Sequence, residues 1–372
     1  MKPLINFFDR LNIKDIISKL YGNNQFNIDL RNRNPYRIVL KEEKCMDIFY
    51  FSSPIFSYKS GKLVCCNWVG NNGKFVFEGV NAFLNIDRNS IILENQIGSC
   101  IVSFNKDINI APTLNGILVE SKFVDIEVKL YFRLSGRAIY NSSFLAYVSE
   151  NLPPFLVFNS LFAKKNDELF PVEIICNQID DNTFKINFHT DRKIEKLYFD
   201  INLYLSKLIF DTTVSSKKKN ENNIYGEIAF LGSTDLCGKE WLYARFNAMK
   251  LENIQAQQVL KAYYYIPCFI QNNKKLKLNV LTTPWCSFGT TWENKIETEQ
   301  LISYSENIYN YKRLEVTNVI KGILKEKDSR NLSLLIKQDS NIGNTIVATG
   351  DNYINPQILR IKIKGDIFDG NN

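Results

Sequence analysis

Short runs rich in Ile, Val, Phe and Tyr, interrupted about every 8–12 residues by Gly, Asn, Pro or Ser, dominate the chain beyond its first two dozen positions. DIFYFSSPIFSYKSGKLVCCNWV (47–69), GKFVFEGVNAFLNI (73–86), SIILEN, SCIVSFN, ILVESKFVDIEVKLYFRL, PVEIICNQI and KLYFDINLYL all show this texture. In FKINFHT, Phe184, Ile186 and Phe188 alternate with Lys185, Asn187 and His189, which predicts a strand with one dry and one wet face. A 3.6-residue period occurs in two places. Ile13, Ile16, Ile17 and Leu20 share one helical face between Asn12, a capping residue type, and Gly22. Val316, Val319, Ile320, Ile323 and Leu324 do the same in VTNVIKGILKEK.

These patterns predict a mainly β protein. Two β-sandwich, jelly-roll-like domains are expected at 31–205 and 206–372, after an N-terminal helical segment at 1–30, with one small helix in the second domain. The boundary near Ser206 precedes LIFDTTV, the polar stretch SSKKKNENN (215–223) and a second β-rich series.

Composition narrows the function classes. The 372 residues are 45% hydrophobic and 13% aromatic, enough to build large cores and to exclude wholesale disorder. The net charge is +7, but basic and acidic residues are interspersed and Lys217-Lys218-Lys219 is the one basic run, so no nucleic-acid footprint is expected. No uncharged apolar stretch approaches the roughly 20 residues that span a bilayer. Asp9 and Arg10 interrupt the apolar N-terminal run, so no secretion signal is read there. The eight cysteines include the adjacent Cys65 and Cys66 but form no Cys-x-x-Cys pair, and no metal site or cofactor is expected. They read as small buried hydrophobes, or else, at Cys65, Cys66, Cys237 and Cys286, as cross-linkers of an assembled coat.

The order of segments in the C-terminal half adds a resemblance. FDTTVSS, NNIYGEIAFLG, WLYARFN, VLKAYYY, PWCSFGTTWEN, Glu315-Val316-Thr317-Asn318-Val319-Ile320 and Asn355-Pro356-Gln357-Ile358-Leu359 follow one another as in the DNRLRE domain, a jelly roll related to carbohydrate-binding module family 96. The resemblance covers about 206–364. It departs from the family at Glu315, where Asp is usual, and at Thr349-Gly350-Asp351. It implies a framework role for Arg245, Phe246, Trp285, Trp292 and Thr317. Residues 31–205 are similar, more loosely, to the β domain that precedes this module in bacterial surface and RHS-repeat proteins. Pro284 and Gly289 place Trp285 and Trp292 at two strand ends around a turn, so core packing is favoured over ligand stacking.

No catalytic constellation emerges. The single histidine, His189, sits on a wet strand face without a nucleophile-elbow or papain-like context. Asp180-Asp181 fall in a turn, where Asp is favoured for backbone hydrogen bonding alone. A non-enzymatic role is therefore expected. One reading is a self-associating structural protein of a bacterial surface, such as a spore coat or exosporium, made in the mother cell. The Asn, Ile and Lys bias of spore formers with AT-rich genomes fits it. The other is polysaccharide recognition, with Lys217, Lys218, Lys219 and Tyr225 meeting an acidic glycan in a loop, or Tyr263 and Tyr265 offering a flat sheet face.

Overall fold

The computed structural model describes residues 2–3, 13–22, 26–27, 29, 37–52, 56–59, 62–65, 68–71, 74–77, 80–85, 89–95, 98–112, 116–148, 155–166, 168–202, 208–251, 253–270, 272–285, 287, 289–297, 300–326, 332–352 and 355–365, with the backbone alone between 56 and 85. The protein is mainly β, and its strands form four sheets among the described residues. Two compact units share them: residues 1–10 with 56–206, and residues 11–55 with 207–372.

The first unit holds an eight-stranded and a ten-stranded sheet. Thr183–His189 shows why alternation makes a sheet face. Phe184, Ile186 and Phe188 are buried while Lys185, Asn187 and His189 point away. The buried faces of the two sheets meet through rings. Phe132 stacks on Tyr147 at 3.7 Å, and Phe158 and Phe199 pack on Phe188 at 6.1 and 4.8 Å.

The second unit is a sandwich of a six-stranded and an eight-stranded sheet. Ile48, Tyr264, Leu314 and Ile361 from one sheet and Leu242, Leu278, Ile336 and Val347 from the other fill its core. Phe246 meets Tyr264 edge to face across the gap, at 5.2 Å. Helix α1 (Ile13–Tyr21) and helix α2 (Thr317–Glu326) lie where the 3.6-residue periods place them. Gly22 ends α1 at φ +79°, a left-handed conformation that glycine adopts without a Cβ penalty, and its N–H closes on Ser18 O.

The domain division departs from the expected one. Strands Arg37–Lys41 and Cys45–Phe51 belong to the second unit, because Cys45–Phe51 pairs antiparallel with Ile358–Lys364, from Cys45 opposite Lys364 to Phe51 opposite Ile358. Over this hairpin and its neighbours lies α1, whose Ile16, Ile17 and Leu20 pack on Phe49, Phe51, Tyr265, Tyr311 and Ile358. The six-stranded sheet is thus buried on both faces. A fragment of residues 206–372 lacks that hairpin and the helix. It is expected to show no cooperative urea transition, and Ile17→Ala in the intact chain is expected to cost about 2–4 kcal/mol by the same measurement. A sharp transition for the fragment would show that the second unit closes without its N-terminal elements.

Candidate functional site

The sequence-selected polar cluster does not form a ligand surface with an aromatic partner. Lys217 donates to Asp235 O, Lys218 faces the buried carboxyl of Glu240, and Lys219 is exposed. Tyr225, expected in the same loop, is instead 3% exposed, just after Asn222 and Asn223 pair with Val214 and Thr213. The flat-face reading also fails at Tyr265, which is wholly buried beneath α1. Tyr263 is half-buried, with the Arg313 guanidinium 4.9 Å over its ring.

Trp285 is buried and donates Nε1–H to Ser333 Oγ at 2.7 Å, while Tyr243 Oη–H donates to Ile296 O. Trp292 is half-buried against Trp241, a ring that sequence reasoning passed over, at 4.6 Å. Their faces are capped from within the protein: Lys337 Nζ lies 3.7 Å from the Trp241 ring and Lys295 Nζ 4.8 Å from Trp292. The rings form a second small core on the outer face of the eight-stranded sheet. Phe246 is in the main core, and Arg245 spreads over Phe210 and Trp285. Thr317 Oγ1 accepts from Ala262 N–H and so anchors the start of α2 to the neighbouring strand.

Cys237 is buried, and burial pushes its thiol up to about 12, which opposes both thiolate chemistry and cross-linking from the folded state. Cys65 ends a strand whose side chains fall outside the described residues, as do Cys66 and Cys286. His189 is exposed beside Asp191, at 3.3 Å. Asp180 Oδ1 accepts from Asn182 N–H and closes the expected turn.

A different set of residues converges. Strands Glu306–Ile308 and Tyr311–Glu315 make a hairpin with a two-residue tip, Tyr309-Asn310. Tyr309 holds φ +52° there, a conformation that costs a side-chain-bearing residue about 1–2 kcal/mol, and it stands 60% exposed. In the loop that leads from Val259–Pro267 to Leu276–Leu281, Asn272 and Asn273 face this tip. Together with Asn307, Asn310, Tyr311 and Lys312, and with Cys268 behind, they enclose a cavity of about 260 Å³.

Lys312 is the floor. It shares the inward parity of Leu314 and Val316, both core residues, and is only 2% exposed. Its Nζ donates to Asn272 O (3.0 Å), Asn272 Oδ1 (3.2 Å), Asn307 Oδ1 (2.7 Å) and Lys274 O. All four acceptors are uncharged. Burial holds the ammonium below the usual lysine range. A lysine at a core-parity position was the sequence signal for this site.

No family model matches the chain, and no curated protein does. Among solved structures, SGBP-B from a complex xyloglucan utilization locus in Bacteroides uniformis aligns over 91% of this chain and 98% of its own. The identity is 9% and the TM-score 0.19, a likeness too weak to bear on fold or function.

Glu240 gives a pH-dependent test of the loop beside Lys218. The carboxyl is buried, accepts from Phe230 N–H at 2.7 Å, and burial raises its pKa above the ordinary glutamate value of 4.5. The folded state therefore binds this proton more tightly than the unfolded chain. Stability from this group is lost as pH rises through the folded pKa and is regained as pH falls toward the unfolded value near 4.5. Glu240→Gln keeps the acceptor and removes the charge. It is expected to raise unfolding free energy at pH 8 by about 1 kcal/mol and to flatten the pH dependence below that, measured by urea titration.

Proposed function

We propose that the chain is a non-catalytic glycan-binding protein whose second unit takes one sugar unit in the cavity between the Asn272 loop and the hairpin tip. The observation that carries this reading is the lining. Asparagine amides offer a donor and an acceptor side by side, which matches vicinal hydroxyls. The ring of Tyr309 stands at the rim in a strained conformation of the kind that gathers at functional positions. At about 260 Å³ the cavity falls just below the range of about 300–1,000 Å³ that encloses whole small-molecule ligands, so it suits one ring of a longer chain. The order of segments resembling a carbohydrate-binding module points the same way.

One further observation favours assembly on a bacterial or spore surface as a second reading. Strand Glu173–Asp180 is an edge of the ten-stranded sheet, eight residues long, and shows Ile175 and Ile179 to solvent. An exposed apolar edge of that length is a template for pairing with another copy. Light scattering of Ile179→Lys against the parent chain tests it, with assembly expected to fall in the variant; strictly monomeric parent protein removes the reading.

For the glycan reading, Tyr309→Gly separates binding from folding. Glycine relieves the positive φ, so stability is expected to hold or rise by up to about 1 kcal/mol. Affinity for the best glycan on an array is expected to fall at least about tenfold, while a Lys217→Ala, Lys219→Ala variant keeps the parent affinity. Unchanged binding by Tyr309→Gly would move the site elsewhere.

A further inference from the structure

We infer that the sugar unit entering this cavity is acidic, carrying one carboxylate or sulfate whose charge is met by Lys312. The inference rests on the glycan reading above and adds the chemical class of the ligand.

The reasoning starts from charge balance. Moving an ammonium out of water costs several kcal/mol, and proteins meet that cost with an opposite charge, with dipoles, or with both. Arg360, in the same unit, shows the usual solution: its guanidinium bonds Asp47, a carboxylate with no exposure at all. Among the described residues, Lys312 has dipoles only. Four carbonyl oxygens surround its three N–H donors, so its hydrogen bonds are complete while its charge is not neutralised.

Among the described residues, nothing on the cavity wall supplies the missing charge. The lining is asparagine, tyrosine, cysteine and this lysine, without an aspartate or glutamate. Glu306, next in sequence to Asn307, is engaged by Arg313 on the other parity of the hairpin. At the rim a second cation adds to the field: Lys19 of α1 lies 5.7 Å from the centre of the Tyr309 ring.

An apolar floor of the same length, a methionine, would avoid the desolvation cost, and a neutral sugar would be served by the amides alone. The ammonium has a use where the ligand brings the negative charge. In a half-enclosed cavity that attraction is screened less than at an open surface, so one charge decides between an acidic sugar and its neutral counterpart.

The test compares matched pairs by calorimetry on the full chain. Oligogalacturonate is set against its methyl ester, a sulfated galactan fragment against its desulfated form, and a glucuronate-bearing xylan fragment against the neutral one. Within at least one pair the acidic member is expected to bind about tenfold or more tightly, and the pair that does so tells carboxylate from sulfate. Binding without preference in any pair overturns the acidic ligand and leaves the glycan reading standing. No binding to any of the six removes both.

Lys312→Met is expected to lose the acidic preference. Because that change orphans four oxygens and can unfold the cavity, Lys19→Gln at the exposed rim provides the second arm. It is expected to weaken the acidic member by about two- to threefold and to leave the neutral member unchanged. An acidic preference that survives in folded Lys312→Met, with Lys19→Gln matching the parent chain, assigns the charge recognition to other residues and overturns the inference.

Discussion

The second unit depends on one partly buried cation and what must surround it. Arg360 lies on a strand in the middle of the six-stranded sheet, on the face turned away from the main core. Its Nε and Nη2 bond Asp47 on the adjacent strand, and its Nη1 donates to Leu20 O at the C-terminal end of α1, where a positive charge also meets the helix dipole. The rings of Tyr21 and Phe49 flank the guanidinium at 5.5 and 5.3 Å. Helix, hairpin and C-terminal strand are thereby fixed by one group. Removing Asp47 alone would leave a charge in the interior, which is why such pairs constrain register more than they add to net stability.

That constraint decides where a ligand can be met. With α1 held down, the outer face of the six-stranded sheet is closed over Tyr265 and Tyr311, and the ring face that alternation alone would offer to solvent is gone. What stays accessible is the end of the sandwich, where the 306–315 hairpin and the Asn272 loop pass one another. There Lys312 ties the two by bonding to both, and Cys268 N–H donates to Asn310 O at 2.7 Å from behind. The cavity walls are therefore held by backbone as well as side-chain contacts, which lowers the ordering cost of binding.

Local order was legible in the sequence where one face of an element is dry and the other wet. Thr183–His189, α1 and α2 each show that contrast, and each was found by period alone. Pairing partners were not legible. Nothing near Cys45–Phe51 says that its partner lies some three hundred positions later at Ile358–Lys364, because hydrogen-bond register is written in neither strand separately. In VLKAYYYIP both faces are buried from Tyr264 onward, so Tyr264 in the main core and Tyr265 beneath α1 look alike, and periodicity gave no sign that Tyr265 is covered. The site was half legible. Lys312 stands in phase with Leu314 and Val316, a conflict between residue type and position that marks function, but the asparagines that complete the cavity come from a distant loop.

Glu240 and Lys312 show two ways of carrying an unpaired charge into a core. Burial raises the pKa of the Glu240 carboxyl, because the charged form is the one that loses its hydration. Burial also disfavours the charged form of Lys312, but four carbonyl dipoles around its Nζ act the other way and favour the ammonium. The Glu240 carboxyl accepts from Phe230 N–H, whereas the Lys312 ammonium donates to four oxygens. On the proposed reading, a cationic floor already oriented by these bonds needs little reorganisation to receive an anion, and Lys312 would be the residue through which charge becomes selectivity.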